Sequence, residues 1–269
     1  MRVAPGDVIS DGLAYGEWPG ADPPVVLVPG IFATHRALAS LAGRIAPAHR
    51  VIAFDLRGRG RSPLAGPFGI ERHAADLWRA IDELELERPV LCGHSLGAFV
   101  VATAAAMRPG ALDAVVLLDG GLWAPSPVPV ELVHEVFAAD RARLGAHFAN
   151  AEAYADALER PLSDELEYEL RASGDGVTTV MPAAAFDEDV ASIAAHGKGN
   201  RPLASAGCSV LAVRALQGIG GDPRAQMLPD ETITDARTCI ADLRVIDLDT
   251  THGALVREPA VELVAREIA

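Results

Sequence analysis

The chain has 269 residues, half of them apolar, and its 23 Lys and Arg against 37 Asp and Glu give a formal charge of −14. This length suits one α/β core with an insertion, and the acidic balance argues against nucleic acid, whose binding needs a basic footprint to displace counterions. No apolar run approaches the roughly 20 residues of a membrane span, and Met1–Asp7 lacks the apolar core of a cleaved leader. Cys92, Cys208 and Cys239 form no C-x-x-C pair, which argues against a disulfide framework. A cytoplasmic protein with a small-molecule partner is expected; composition sets no oligomeric state.

In chain order, Val8 to Trp18 supplies one or two early strands, Val25 to Val28 the first central strand and Val51 to Phe54 the next. Ala74, Leu77, Trp78, Ile81 and Leu84 recur at helical spacing among charged residues, the pattern of an amphipathic crossover helix whose tryptophan faces the core. Val90 to Cys92 is a short buried strand, Leu96 to Met107 an Ala-rich helix, and Val115 to Leu118 a further strand. From Leu122 to Gly207 the alternation gives way to helices and turns. Val130 to Phe148, Ala151 to Arg160 and Asp164 to Ala172 are predicted helical, with Asn150 and Ser163 as N-caps of the last two. Pro182, Pro202 and the glycines at 174, 176, 197 and 199 break the remainder into short pieces. Ser209 to Ala215 returns to strand, Glu231 to Ala241 to helix and Leu243 to Leu248 to a last strand. Strands alternating with helices predict an α/β fold, a mostly parallel sheet covered on both faces.

Gly93-His94-Ser95-Leu96-Gly97 is a G-x-S-x-G signature placed where the buried strand turns into the Ala-rich helix. In that context a serine sits on a sharp turn with its hydroxyl exposed at the end of the sheet. The flanking glycines leave room for the turn and for close packing of helix on strand. A serine hydroxyl is a weak nucleophile near neutrality and needs a neighbouring base. Neither Gly58-Arg59-Gly60 nor Gly218–Gly221 has nucleotide-binding spacing, and no metal-ligand pattern is present, so no cofactor is expected.

Several stretches in register resemble the α/β-hydrolase superfamily, in particular small bacterial serine esterases with a helical cap. Val25–Ile31 resembles the strand and oxyanion loop that begin these enzymes, and Asp55–Ser62 their D-x-R-G-x-G-x-S turn. The serine motif, Val115–Gly121 and the final strand leading to Thr251-His252-Gly253 follow in the family's order. Pro29-Gly30 departs from the His-Gly of many members. The resemblance implies a core of residues 1–121 and 208–269, a helical cap of residues 122–207, Ser95 as nucleophile and His252, just past the last strand, as base. It implies oxyanion donors at the backbone N–H groups of Leu96 and Ile31. Phe32 and His94 are expected beside the pocket, His35 only in a shaping role, and Trp123, Phe137, Phe148 and Tyr154 are candidates for its cap wall. Chain order admits two triad acids. Asp119 ends the strand next to the nucleophile strand and Asp222 follows the seventh strand in a Gly-rich loop, a poor platform for fixing a ring, so Asp119 is preferred. The implied activity is cleavage of a carboxylic ester through an acyl-enzyme. Lactone, thioester or carbon–carbon bond hydrolysis on the same residues, and a non-catalytic ligand-binding role, are the alternatives.

Overall fold

The computed structural model describes residues 12–125, 130–195 and 199–268, together with the backbone of Asp7 and Val8. Its strands are β1 (Asp7–Val8), β2 (Ala14–Trp18), β3 (Ala21–Val28), β4 (His49–Phe54), β5 (Val90–His94), β6 (Ala114–Leu118), β7 (His147–Phe148), β8 (Leu170–Ser173), β9 (Gly176–Thr179), β10 (Ser209–Ala215) and β11 (Leu243–Leu248). The helices are α1 (Ala39–Ile45), α2 (Ile70–Glu83), α3 (Leu96–Met107), α4 (Val130–Val136), α5 (Ala138–Arg143), α6 (Ala151–Ala157), α7 (Asp164–Tyr168), α8 (Ala183–Ala194), α9 (Arg201–Ala204), α10 (Asp230–Cys239) and α11 (Ala260–Ile268). No helix among the described residues is long and apolar enough to cross a membrane.

Eight strands form the main sheet in the order β1-β2-β4-β3-β5-β6-β10-β11. The six from β4 to β11 run parallel, and β2 joins β4 antiparallel. Both faces are covered, which is why runs such as Val25–Val28 and Val115–Leu118 are continuously apolar instead of alternating with polar residues. Val26, Ile52, Leu91, Val115 and Leu117 point into one core layer with α2 and α3. Their neighbours Val25, Leu27, Val51, Cys92, Val116 and Leu118 point into the opposite layer, with α1 and α11. The amphipathic helix lies where its spacing puts it: Ala74, Leu77, Trp78 and Ile81 of α2 are buried, and the Trp78 indole donates to the Ala104 carbonyl at 2.8 Å. Helix α3 is buried on all sides from Leu96 to Ala105, so its alanines are what let α2, α9 and the sheet approach together.

Between β6 and β10 the chain departs from the all-helical expectation. β7, β9 and β8 pair into a separate three-stranded antiparallel sheet. The helix expected over Val130 to Phe148 is broken at Phe137 into α4 and α5 and stops at Gly145, whose φ is 75°. The helix expected to run to Ala172 ends at Tyr168, because the two-residue turn Gly174-Asp175 joins β8 to the β-branched β9 in a hairpin. Pro182 stands at the boundary between β9 and α8, where a proline costs no hydrogen bond, but the piece that follows is a helix of 12 residues and not a short one. Gly197 lies outside the described residues. Both expected N-caps are present, Asn150 accepting from the Ala153 N–H at 2.8 Å and Ser163 from the Leu166 N–H at 3.4 Å.

The Asn150 cap is the better formed, so Asn150→Ala should lower stability by about 1 kcal/mol, the usual cost of a lost N-cap. Urea unfolding measures it as a lower midpoint with an unchanged slope.

Candidate active site

Strand order reverses between β3 and β5: from β3 the chain moves outward to β4, and from β5 it moves the other way to β6. The carboxyl ends of strands at such a switch point leave a crevice, the usual ligand site of open α/β sheets. Ile31 follows β3 and Ser95 follows β5, so both border it. Ser95 has φ 55° and ψ −118°, a conformation strained for a residue with a Cβ, and costs of order 1–3 kcal/mol are typical there. The turn is held by its backbone. Ser95 N–H donates to the Leu118 carbonyl at 2.9 Å, and the Ala98 N–H to the Ser95 carbonyl at 3.0 Å. A Cβ on Gly97 would stand 2.1 Å from the Val28 carbonyl oxygen, and one on Gly93 would stand 2.2 Å from that of Gly97, so neither position admits a side chain.

Asp119 is wholly buried at the end of β6. Its N–H donates to the Val213 carbonyl at 2.8 Å and its Oδ1 accepts from the Ala215 N–H at 3.1 Å, which fixes the carboxylate against the end of β10. The remaining oxygen, Oδ2, lies 2.7 Å from Nδ1 of His252. A carboxylate there accepts, so Nδ1 carries the proton and Nε2 keeps its lone pair. His252 opens a one-turn 3-10 segment (His252–Val256), and its N–H is tied to the Gly218 carbonyl at 3.0 Å. Asp222, the alternative acid, is directed elsewhere: both of its oxygens are engaged by Arg224, which, with the Arg224 backbone N–H, holds its pKa down at about 2. His94 lies under His252, ring centroids 4.7 Å apart, and its Nε2 donates to the His252 carbonyl at 3.0 Å. Burial first, then the neighbouring His252, pushes His94 down to about 3, which favours the neutral ring as a prop for the histidine loop.

Ser95 and His252 open onto one cavity of about 270 Å³, also lined by Ile31, Phe32 and His94. Leu96, at the first position of α3, is buried beside it. Phe32 stacks on Phe186 with centroids 5.3 Å apart, so helix α8, between β6 and β10 in the chain, supports this wall. Of the four aromatic wall candidates, Phe137 and Tyr154 line the cavity. Trp123 does not: it packs edge-to-face on Phe99 at 5.2 Å, and its backbone N–H and carbonyl are both bonded to the Asn200 side chain. The Asn200 side chain fixes its backbone and Phe99 its ring, which keeps it out of the cavity lining. Phe148 is likewise withdrawn, packed on Tyr154 at 5.1 Å. His35 is fixed away from the site by the Asp55 carboxylate, 2.8 Å from its Nδ1. The sequence reading missed Val180, Met181 and Glu169, which line the cavity from the far side. Only the hairpin brings them there, and the hairpin's signal was the Gly174-Asp175 turn.

The family model for the alpha/beta hydrolase fold matches residues 23–192. Among curated proteins, the chain is 28% identical to Esterase YbfF of Escherichia coli K12 over 155 residues, 57% of this chain. It spans only 60% of the length of that relative. Among solved structures, an E-2-(acetamidomethylene)succinate hydrolase superposes with a TM-score of 0.77 at 22% identity, covering 95% of this chain and 93% of the other. A marine microorganism esterase superposes with a TM-score of 0.78 at 17% identity, covering 96% and 98%. At those identities the likeness is one of fold.

Glu169 lines the cavity, and burial moves its protonation toward neutrality. Burial raises its pKa from 4.5 to about 7, opposed by the bond from the Tyr154 hydroxyl at 3.0 Å and assisted by the nearby Glu165. Between about pH 4.5 and 7 the unfolded chain has released this proton while the folded one keeps it, so Glu169 lowers stability progressively as pH rises through that window. Glu169→Gln cannot ionise and should gain on the wild type between pH 5 and pH 8. Urea midpoints of the two proteins at both pH values measure this, and a constant difference between them would contradict it.

Proposed function

Because this chain belongs to the alpha/beta hydrolase fold family, we propose that it is a serine hydrolase that cleaves a carboxylic ester of a small or medium organic substrate through an acyl-enzyme. The observation that carries this reading is the 2.7 Å contact of a buried carboxylate with Nδ1 of a histidine that shares a cavity with a serine on a strained strand-to-helix turn. With Nδ1–H held by Asp119, the free Nε2 of His252 accepts the Ser95 proton as Oγ attacks the ester carbonyl carbon. The oxyanion so formed takes hydrogen bonds from the backbone N–H groups of Leu96 and Ile31, fixed donors that need no reorganisation during the reaction. Collapse of the tetrahedral species breaks the bond to the alkoxy group, which leaves with the proton from His252. A water then gives its proton to Nε2, attacks the acyl-enzyme, and releases the acid with the Ser95 hydroxyl restored. Asp119 remains ionised throughout and stabilises the imidazolium of each half-reaction.

In this account residues 122–207 act as a cap that shapes the acyl site. Phe137, Leu144, Leu158, Val180 and Met181 bring an apolar wall from that segment to the cavity, which supports an acyl group of limited size. A cytoplasmic setting and a small-molecule substrate remain part of the same proposal.

Ser95→Ala should lower kcat for p-nitrophenyl acetate by about 10⁴-fold or more with an unchanged melting temperature. Asp119→Asn should also lose about 10⁴-fold in kcat, as loss of the charge does in the chymotrypsin-type triad. Asp222→Asn should stay close to the wild type. Steady-state kinetics of the three variants test the assignment, and a wild-type rate in Ser95→Ala overturns it.

A further inference from the structure

The turn from Asp55 to Ser62 carries one arginine that does more than close the turn. Arg59 is 1% exposed, and all of its side-chain nitrogens donate. Nε and Nη2 both reach the Ile31 carbonyl, at 3.0 and 2.9 Å, and Nη1 reaches the Arg57 carbonyl at 2.9 Å. Two donors on one oxygen occupy both of its lone pairs and hold the Ile31–Phe32 peptide in a single orientation. Nη2 is also bonded to Oδ2 of Asp189, a fully buried carboxylate on α8. The other oxygen of Asp189 accepts from His73 Nε2 and from the Gly69 N–H, both at 2.8 Å, so the carboxylate itself cannot rotate. Burial would raise the Asp189 carboxyl, but the charge of Arg59 and the bond from His73 outweigh it and hold the pKa below the ordinary carboxylate range.

We propose that Arg59, oriented by Asp189 from the inserted helix α8, is a positioning residue that sets the Ile31 oxyanion donor. This rests on the acyl-transfer reading above, in which the Ile31 N–H receives the developing negative charge. The N–H and the carbonyl of Ile31 are separated only by its own φ and ψ. The Gly30 side of the loop is closed by the Ala33 N–H on the Gly30 carbonyl at 3.1 Å, and the Arg59 fork closes the other side. A rigid carbonyl therefore means a rigid donor, and the residue that makes it rigid is held by the insertion. The effect belongs to the transition state: substrate binding does not need the donor, whereas loss of a whole oxyanion donor costs about 10²–10³ in kcat. Lysine cannot reproduce the fork, since its three donors radiate from one nitrogen.

Arg59→Lys should therefore lower kcat for p-nitrophenyl acetate by about 10- to 100-fold, a fraction of the loss of the donor itself, and leave KM within about threefold. Asp189→Asn should shift kcat in the same direction by a smaller factor, and carries the test if Arg59→Lys does not fold. Affinity for an alkyl boronic acid, whose tetrahedral adduct on Ser95 uses the same donors, should weaken in step with kcat in both variants. Asp76→Asn removes the buried partner of Arg57 in the same turn, 2.7 Å away, and should lower the melting temperature with kcat and boronate affinity unchanged. A folded Arg59→Lys or Asp189→Asn with wild-type kcat and boronate affinity would overturn the proposal while leaving acyl transfer intact. A wild type that neither hydrolyses the ester nor binds the boronate would overturn the acyl-transfer reading, and this proposal with it.

Discussion

The close approach of α3 to β3 is the constraint on which the site depends. Gly97 lies against the Val28 carbonyl with no space for a Cβ, and Gly93 is pressed equally closely against Gly97. These contacts bring the start of α3 beside the end of β3, so the Leu96 peptide and the loop carrying Ile31 face one another across the crevice. They also force Ser95 into positive φ, which a serine adopts only when its surroundings over-determine it. The buried length of α3 supplies that over-determination: apolar packing on every side of the helix offsets the strain at its first turn. The proposed nucleophile and the Leu96 donor thus depend on these two backbone contacts, which also set them beside the Ile31 loop.

A second tie holds the histidine. Asp119 bonds to β10 through its own N–H and through Oδ1, and to His252 through Oδ2. The histidine reaches the carboxylate because its loop is held on both sides, by the Gly218 carbonyl and by His94. His94 occupies the variable position of the serine motif, so the segment that bends the chain at Ser95 also props the histidine from below. Its low pKa keeps that prop uncharged, which avoids placing a second cation against an imidazolium. Substitutions remote from the cavity, in β10 or in the Gly218 turn, act on the histidine through these bonds.

The strands of the main sheet were legible because each carries a local signal, whereas their order in the sheet is set by long-range pairing. Apolar runs such as Val25–Val28 and Val115–Leu118 are too short for helices, and each ends at a glycine-containing turn. Ser95, His252 and Asp119 were named from the serine motif and from the order of strands in the resembling family, and the structure places them at one end of the sheet. The segment between β6 and β10 was harder to read. Its third strand, β7, joins the hairpin only through long-range pairing of His147 with Thr178 and Phe148 with Val177, which no local pattern announces. Trp123 was misplaced for a related reason. Large aromatics mark burial well, but which core they enter is decided by partners such as Phe99 and Asn200, which are distant in sequence. The link from Asp189 to Arg59 spans 130 residues and has no local signature.

The most direct test of the account is covalent labelling of the intact protein with an alkyl fluorophosphonate, followed by peptide mass spectrometry. Phosphonylation requires a serine activated by a base and a site that stabilises a charged oxygen, the two properties proposed for this cavity. The account predicts one phosphonyl group per chain, on Ser95. An unlabelled protein, or a label carried by another residue, would contradict it.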